Sequence, residues 1–162
     1  TTPEDDDTSR LRWAVDVGRW FEGAKEDSWK THEWRFLESL ILEEEERAAI
    51  HRYAKLQDRK RALISRLLVR RCCAVALGLD HSEVAIERTK GKKPFLAYAA
   101  RCKIDDEDCP NFNFNVSHEG HFVVLASEPR CLVGVDVAAP DQFRRAGTPA
   151  EGKPQDLPRF FA

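Results

Sequence analysis

The spacing of apolar residues changes period twice along the chain. Leu11, Trp13, Val15 and Val17 occupy every second position, which predicts a strand over 11–17 with one face turned inward. The period then lengthens. Ser28–Leu40 and Glu43–Leu56 read as helices, and the second opens on four consecutive glutamates, favourable at the positive end of a helix. Gln57–Leu77 is the longest helical stretch. It contains no Gly or Pro, and Gly78 follows it as a C-terminal cap. A period of two returns beyond it. Val84–Arg88 is strand-like, Lys90–Pro94 is a basic turn, and 101–110 is a polar, acidic loop. Asn113–Ser117 alternates and ends at a turn, Glu119-Gly120. The apolar runs Phe122–Ala126 and Leu132–Val137, joined by Glu128-Pro129-Arg130, predict a hairpin.

A strand, then helices, then strands is an α+β order, not a βαβ alternation. The acidic residues 1–10 predict a disordered tail and 11–138 one folded unit. Residues 139–158, with their prolines and glycines, begin a mobile linker over 139–162. The final Phe160 and Phe161 suggest that more protein follows.

Charge changes this picture only locally. The 26 basic and 28 acidic residues give a net charge of −2, so no global attraction to nucleic acid or an anionic membrane is expected. No run approaches the ~20 apolar residues of a membrane-spanning helix. The five cysteines are odd in number and follow no zinc spacing, which reads as reduced thiols in the cytoplasm. Yet the stretch 55–71 is strongly basic.

Four groups of residues could carry chemistry. Lys55, Arg59, Arg66 and Arg70 lie on one side of the long helix, either a solvated face or a surface for phosphate or an acidic partner; Leu56, Leu63, Leu67 and Ala74 lie next to it and can pack inward. Arg88-Thr89-Lys90-Gly91-Lys92-Lys93-Pro94 puts four cations on a tight turn. Gly91 permits close backbone approach there, so the turn is an anion site or a soluble hairpin tip. Asn113, Asn115 and Ser117 alternate with Phe114, Val116 and His118. The Phe face is expected in the core, with Ser117 and His118 at the strand end as anion ligands or as a turn-capping pair. Asp136 sits in the apolar run Gly134-Val135-Asp136-Val137. A buried carboxylate there needs a bond or a cation, and magnesium takes one or two carboxylates together with phosphates. The alternative is an Asp at a strand end bonded to a turn.

The ordered set Arg12-Trp13-Ala14, Glu43 to Arg47, Arg88-Thr89, Lys93-Pro94, Asn113-Phe114-Asn115-Val116-Ser117-His118 and Gly134-Val135-Asp136 resembles the 4′-phosphopantetheinyl transferase superfamily. The pseudo-dimeric, surfactin-synthetase-activating type fits best, and within it the animal members. The resemblance implies the fold of that family, with this chain as the N-terminal half of a pseudo-two-fold enzyme. It implies transfer of phosphopantetheine from coenzyme A to a serine of an acyl or peptidyl carrier protein, with magnesium, releasing 3′,5′-ADP. Asp136 would be a metal ligand. Arg47, Arg88, Thr89, Lys90, Gly91, Lys92, Lys93, Asn115, Val116, Ser117 and His118 would hold coenzyme A, with His118 near its 3′-phosphate.

Three departures accompany the match. Ala138 stands where many members have Glu. Gly91-Lys92-Lys93-Pro94 is one Lys longer than the usual Gly-Lys-Pro, or shifted by one, which leaves the residue match of Gly91 and Lys92 open. The Trp-x-x-Lys-Glu element of the second half, which carries the expected catalytic Glu and Lys, is not among these residues. The competing reading is a non-catalytic module of the same fold that binds coenzyme A or a carrier. The carrier itself stays open: fatty-acid synthase, a polyketide or peptide synthetase, or a lysine-pathway reductase.

Overall fold

The computed structural model describes residues 9–20, 31–101 and 109–138. Its organising element is helix α3 (Leu56–Leu77). The two ends of α3 serve different cores. Near its start, Ala62 and Leu63 join Trp34, Ile41 and Ile50 in a cluster closed by Leu56 and Leu67. Near its end, Val69, Cys72, Cys73 and Ala76 pack with Val84, Leu96, Phe112, Phe114 and Leu125.

The first cluster is made with two short helices. In α1 (His32–Ser39), Thr31 caps the start by accepting the Trp34 N–H, and α2 (Glu44–His51) carries glutamates through its first turn. Trp34 is fully buried and stacks on Trp20 with ring centroids 5.5 Å apart. Lys60, also buried, donates to the Trp20 carbonyl and so ties this corner to α3.

The second cluster lies between α3 and a three-stranded antiparallel sheet. β1 (Arg12–Asp16) and β4 (Asn113–Glu119) flank β5 (Phe122–Glu128). β1 has the expected inward alternation, and the β4–β5 connection turns at Gly120, whose φ is 55°. Residues 9–11 extend the attachment: buried Ser127 donates its hydroxyl to the Ser9 carbonyl at 2.7 Å and accepts the Leu11 N–H at 3.1 Å. The expected tail is thus ordered at Ser9 and Arg10, while residues 1–8 and the expected linker at 139–162 lie outside the described residues. A second hairpin, β2 (Ile86–Arg88) and β3 (Pro94–Leu96), leads into the short helix α4 (Tyr98–Arg101).

The hairpin expected between Phe122–Ala126 and Leu132–Val137 does not form. The partner of β5 on that side is β4, and residues 132–138 lie outside the sheet. The reason is visible in their amides: Val133 and Val135 donate to the side-chain carbonyls of Asn113 and Asn115, each at 3.0 Å, in place of a backbone ladder.

Cys72, Cys73, Cys109 and Cys131 are free, and burial pushes the Cys72 thiol up to about 11 and Cys73 up further still. No helix among the described residues is long and apolar enough to cross a membrane.

Gly78 ends α3 in the left-handed conformation, φ 63°, with its N–H on the Ala74 carbonyl. Space is open around it, so a methyl group meets no atom and only the backbone preference opposes it. Gly78→Ala is therefore expected to lower unfolding free energy by about 1 kcal/mol in a denaturant titration, with Gly78→Asn costing less.

Candidate functional site

A cleft of about 360 Å³ opens where α2, α3, the β2–β3 turn and β4 meet, within the size range of small-molecule sites. Its floor is apolar, with Ala62, Val69, Ile86, Phe114 and Val116. Its walls are cationic, with Arg66, Arg70, Arg88, Lys92 and Lys93, and His118 stands at one side.

The guanidiniums are held at the start of α2, by its capping residue Glu43 and by Glu46 in its first turn. Glu43 and Glu46 are one turn apart and face the same way. Glu46 takes Arg88 in a two-bond fork, Nε to Oε1 at 2.5 Å and Nη2 to Oε2 at 2.8 Å, and also pairs with Arg66 Nε at 2.7 Å. Glu43 pairs with Arg70 at 3.1 Å, while both Nη groups of Arg70 also donate to the Val84 carbonyl. Arg70 is 2% exposed, so these partners are what make its burial tolerable. Burial pulls the Glu46 carboxyl upward. The Arg88 hydrogen bond and the charges of Arg66 and Arg88 outweigh it and hold the pKa below its ordinary value.

The solvated-face reading of the basic helix therefore fails for two of its four members. Lys55 is exposed, but Arg66 and Arg70 turn inward because carboxylates on a neighbouring helix meet them.

The turn is built as Thr89 N–H to the Lys93 carbonyl at 3.0 Å, Lys92 N–H to the Thr89 carbonyl at 2.8 Å, and Lys93 N–H to Thr89 Oγ1 at 3.2 Å. Arg88 Nη1 donates to the Lys92 carbonyl, fixing the turn against α2 through Glu46. The left-handed residue is Lys92, φ 63°, and not Gly91. Lys92 thus occupies a conformation that a glycine would adopt without strain.

On β4 the side chains divide by alternation. Phe114, Val116 and His118 reach the cleft, and Asn115 borders it. Partial desolvation, and then the charge of Arg61, push the pKa of His118 below the ordinary imidazole value. Ser117 points elsewhere and donates to Asp136 Oδ1 at 2.6 Å. Asp136 is exposed, contrary to the expectation of a buried carboxylate, because its segment stands outside the sheet. Its pKa is lowered by the Ser117 hydroxyl and by the Val137 N–H.

Of the residues singled out in the sequence, the cleft gathers Arg88, Gly91, Lys92, Lys93, Asn115, Val116 and His118. Arg47 instead donates to the carbonyls of Ile41 and Leu42, Thr89 braces the turn, and neither Lys90 nor Ser117 lines the cleft. Sequence reasoning missed Glu43 and Glu46 as the frame of the site. The signal was present: acids at 43 and 46 and arginines at 66 and 70 each share a helix face.

Comparison with known proteins places this geometry. Residues 27–130 match the family model described as 4′-phosphopantetheinyl transferase, N-terminal. The chain belongs to that family. It is 32% identical over 151 residues to the human L-aminoadipate-semialdehyde dehydrogenase-phosphopantetheinyl transferase, covering 93% of this chain and 42% of the human protein. It is 35% identical over 131 residues to the protein of the same name from Xenopus laevis, 81% of this chain and 39% of that one. A phosphopantetheinyl transferase of Thraustochytrium sp. is 38% identical over 120 residues, 74% of this chain and 36% of that protein. The chain thus spans about two fifths of the length of the curated relatives it matches.

A magnesium ion is compatible with Asp136, an exposed, ionised carboxylate fixed by two hydrogen bonds. The described residues contain no cluster of three or more His, Cys, Asp or Glu groups able to hold a metal. Asp136 would thus give one ligand, leaving positions for phosphate oxygens, water and other protein groups.

The Glu46 pairing has a consequence in acid. A carboxyl whose folded pKa is depressed contributes stability that is fully present above its ordinary value of 4.5 and is lost as pH falls through the folded value. Between pH 7 and pH 3, the urea midpoint of the wild type is expected to fall below pH 4.5 more steeply than that of Glu46→Gln, which starts lower and changes less. Parallel curves would contradict this role.

Proposed function

We propose that the protein containing this chain is a magnesium-dependent 4′-phosphopantetheinyl transferase acting on a carrier protein, and that this chain contributes its coenzyme A cleft. The observation that carries the reading is a pre-formed cationic cleft with an apolar floor, close in the chain to an ordered carboxylate, in a member of this family. Coenzyme A has the matching features: a flat apolar base, a pyrophosphate and a 3′-phosphate. Arginine offers a two-point fork to phosphate oxygens and lysine a mobile point charge.

In this reading Arg88, Lys92 and Lys93 bind phosphate oxygens and orient the pyrophosphate. The alignment of Arg88 precedes binding because Glu46 holds its guanidinium in a two-bond fork. His118 donates a hydrogen bond to the 3′-phosphate, gaining a proton as the phosphate approaches. The carrier serine hydroxyl forms a bond to the β-phosphorus, the bond to the bridging oxygen breaks, and 3′,5′-ADP leaves with that oxygen. The serine proton passes to a base outside the described residues. Magnesium, when bound, neutralises charge that develops on the pyrophosphate. Asp136 would give the metal one carboxylate ligand, and the apolar floor limits water at the base.

The direct test incubates the full-length protein with coenzyme A, magnesium and apo-carrier proteins. Mass spectrometry should show a carrier heavier by one phosphopantetheine, and no gain on any carrier would refute the assignment. Asp136→Ala should abolish transfer while coenzyme A still binds. A non-catalytic binding module predicts no transfer in the wild type either. The 162-residue chain alone is expected to bind coenzyme A with little or no turnover.

Lys92 offers a separate check. Lys92→Gly removes a cleft cation and relieves a left-handed residue. Coenzyme A should bind several-fold more weakly in calorimetry, while unfolding free energy stays equal or rises by up to about 1 kcal/mol. A parallel loss of both would contradict the geometry.

A further inference from the structure

Residues 130–136 run beside β4 and in the same direction, yet form no strand with it. What holds them is a row of side chains at every second position. Asn111 Nδ2 donates to the Arg130 carbonyl at 3.1 Å. Asn113 Nδ2 donates to the Cys131 carbonyl at 2.7 Å, while its Oδ1 accepts the Val133 N–H at 3.0 Å. Asn115 Oδ1 accepts the Val135 N–H at 3.0 Å, and Ser117 closes the row on Asp136. A carboxamide carries an acceptor and donors on one planar group, so Asn113 presents to residues 131 and 133 what a peptide unit of a neighbouring strand would present. The row points away from Phe114, Val116 and His118, because successive side chains on a strand face opposite ways.

We infer that this polar row is a positioning device for Asp136, and that Asn115 is a positioning residue rather than a coenzyme contact. The inference rests on the reading of Asp136 as the metal ligand. Asp136 has no place in the sheet and is exposed, so nothing in its own segment fixes its distance from the cleft. The last backbone anchor before it is Val135 N–H on Asn115. Loosening that anchor frees the carboxylate to move with its segment. The Ser117 bond then fixes the carboxylate's rotation, and the Asn115 bond fixes where it stands.

The test uses the full-length protein, with amide hydrogen exchange at Val135 and with Mn²⁺ as a paramagnetic probe of Asp136. In Asn115→Ala, exchange at Val135 should accelerate at least tenfold while Val124 in β5 stays protected, showing that the fold is retained. The Mn²⁺ concentration that half-broadens resonances around Asp136 should rise several-fold. In Asn115→Asp, which keeps the acceptor, exchange at Val135 should stay within about twofold of the wild type. In Ser117→Ala, Val135 exchange should be unchanged while the Mn²⁺ response weakens. Unchanged Val135 exchange in Asn115→Ala, with weaker coenzyme A binding, would overturn the inference and make Asn115 a ligand contact. If Mn²⁺ has no effect near Asp136 in the wild type, the metal reading fails, and Val135 exchange alone then decides whether Asn115 sets the segment's position.

Discussion

Two carboxylates at the start of α2, its capping residue Glu43 and Glu46 in its first turn, hold three guanidiniums from two other elements, and the cleft depends on that pairing. Arginine cannot shed its proton in a protein, so Arg70, almost wholly buried, is tolerable only with its charge answered. Glu43 answers it, and Glu43 and the Val84 carbonyl take the Nη donors. Glu46 extends the same solution to Arg66 and Arg88, and through Arg88 it reaches the β2–β3 turn. Once α2 is held there, Ile50 closes on Leu63. The polar wall of the cleft and one of the two apolar cores are therefore set by the same contact.

The pairing also shapes the site's electrostatics. Glu43 and Glu46 neutralise part of the charge of Arg66, Arg70 and Arg88, while Lys92 and Lys93 add more, leaving a positive surplus beside an apolar floor. Partial compensation lets the arginines stay in fixed orientations without a ligand, so less ordering remains to be done when an anion arrives.

Much of this was legible in the sequence. The period of two placed β1 and β4, and the unbroken helical run capped by Gly78 placed α3, because these signals are local. The cationic turn and His118 were legible as candidate anion ligands, and the structure brings both to one cleft. What failed depended on partners distant in sequence. An outward-looking basic face became a wall because carboxylates some twenty residues earlier meet Arg66 and Arg70. An apolar run that read as a hairpin strand is held by asparagine side chains on β4, which take two of its amides in place of a backbone ladder. The glycine of the turn was legible as the flexible point, but the left-handed conformation sits one residue later, at Lys92.

β4 has a further property: it works as a ruler with markings on two sides. Phe114, Val116 and His118 reach the cleft, while Asn113, Asn115 at the cleft's border, and Ser117 hold the segment of Asp136, so the spacing between the two is written in the pleat of a single strand. An inserted or deleted residue within Asn113–Ser117 would exchange the two sides at once, whereas the Thr89–Lys93 loop can change length and stay attached at its ends. Natural variation in loop length is thus compatible with this architecture at the turn, and register drift in β4 is not.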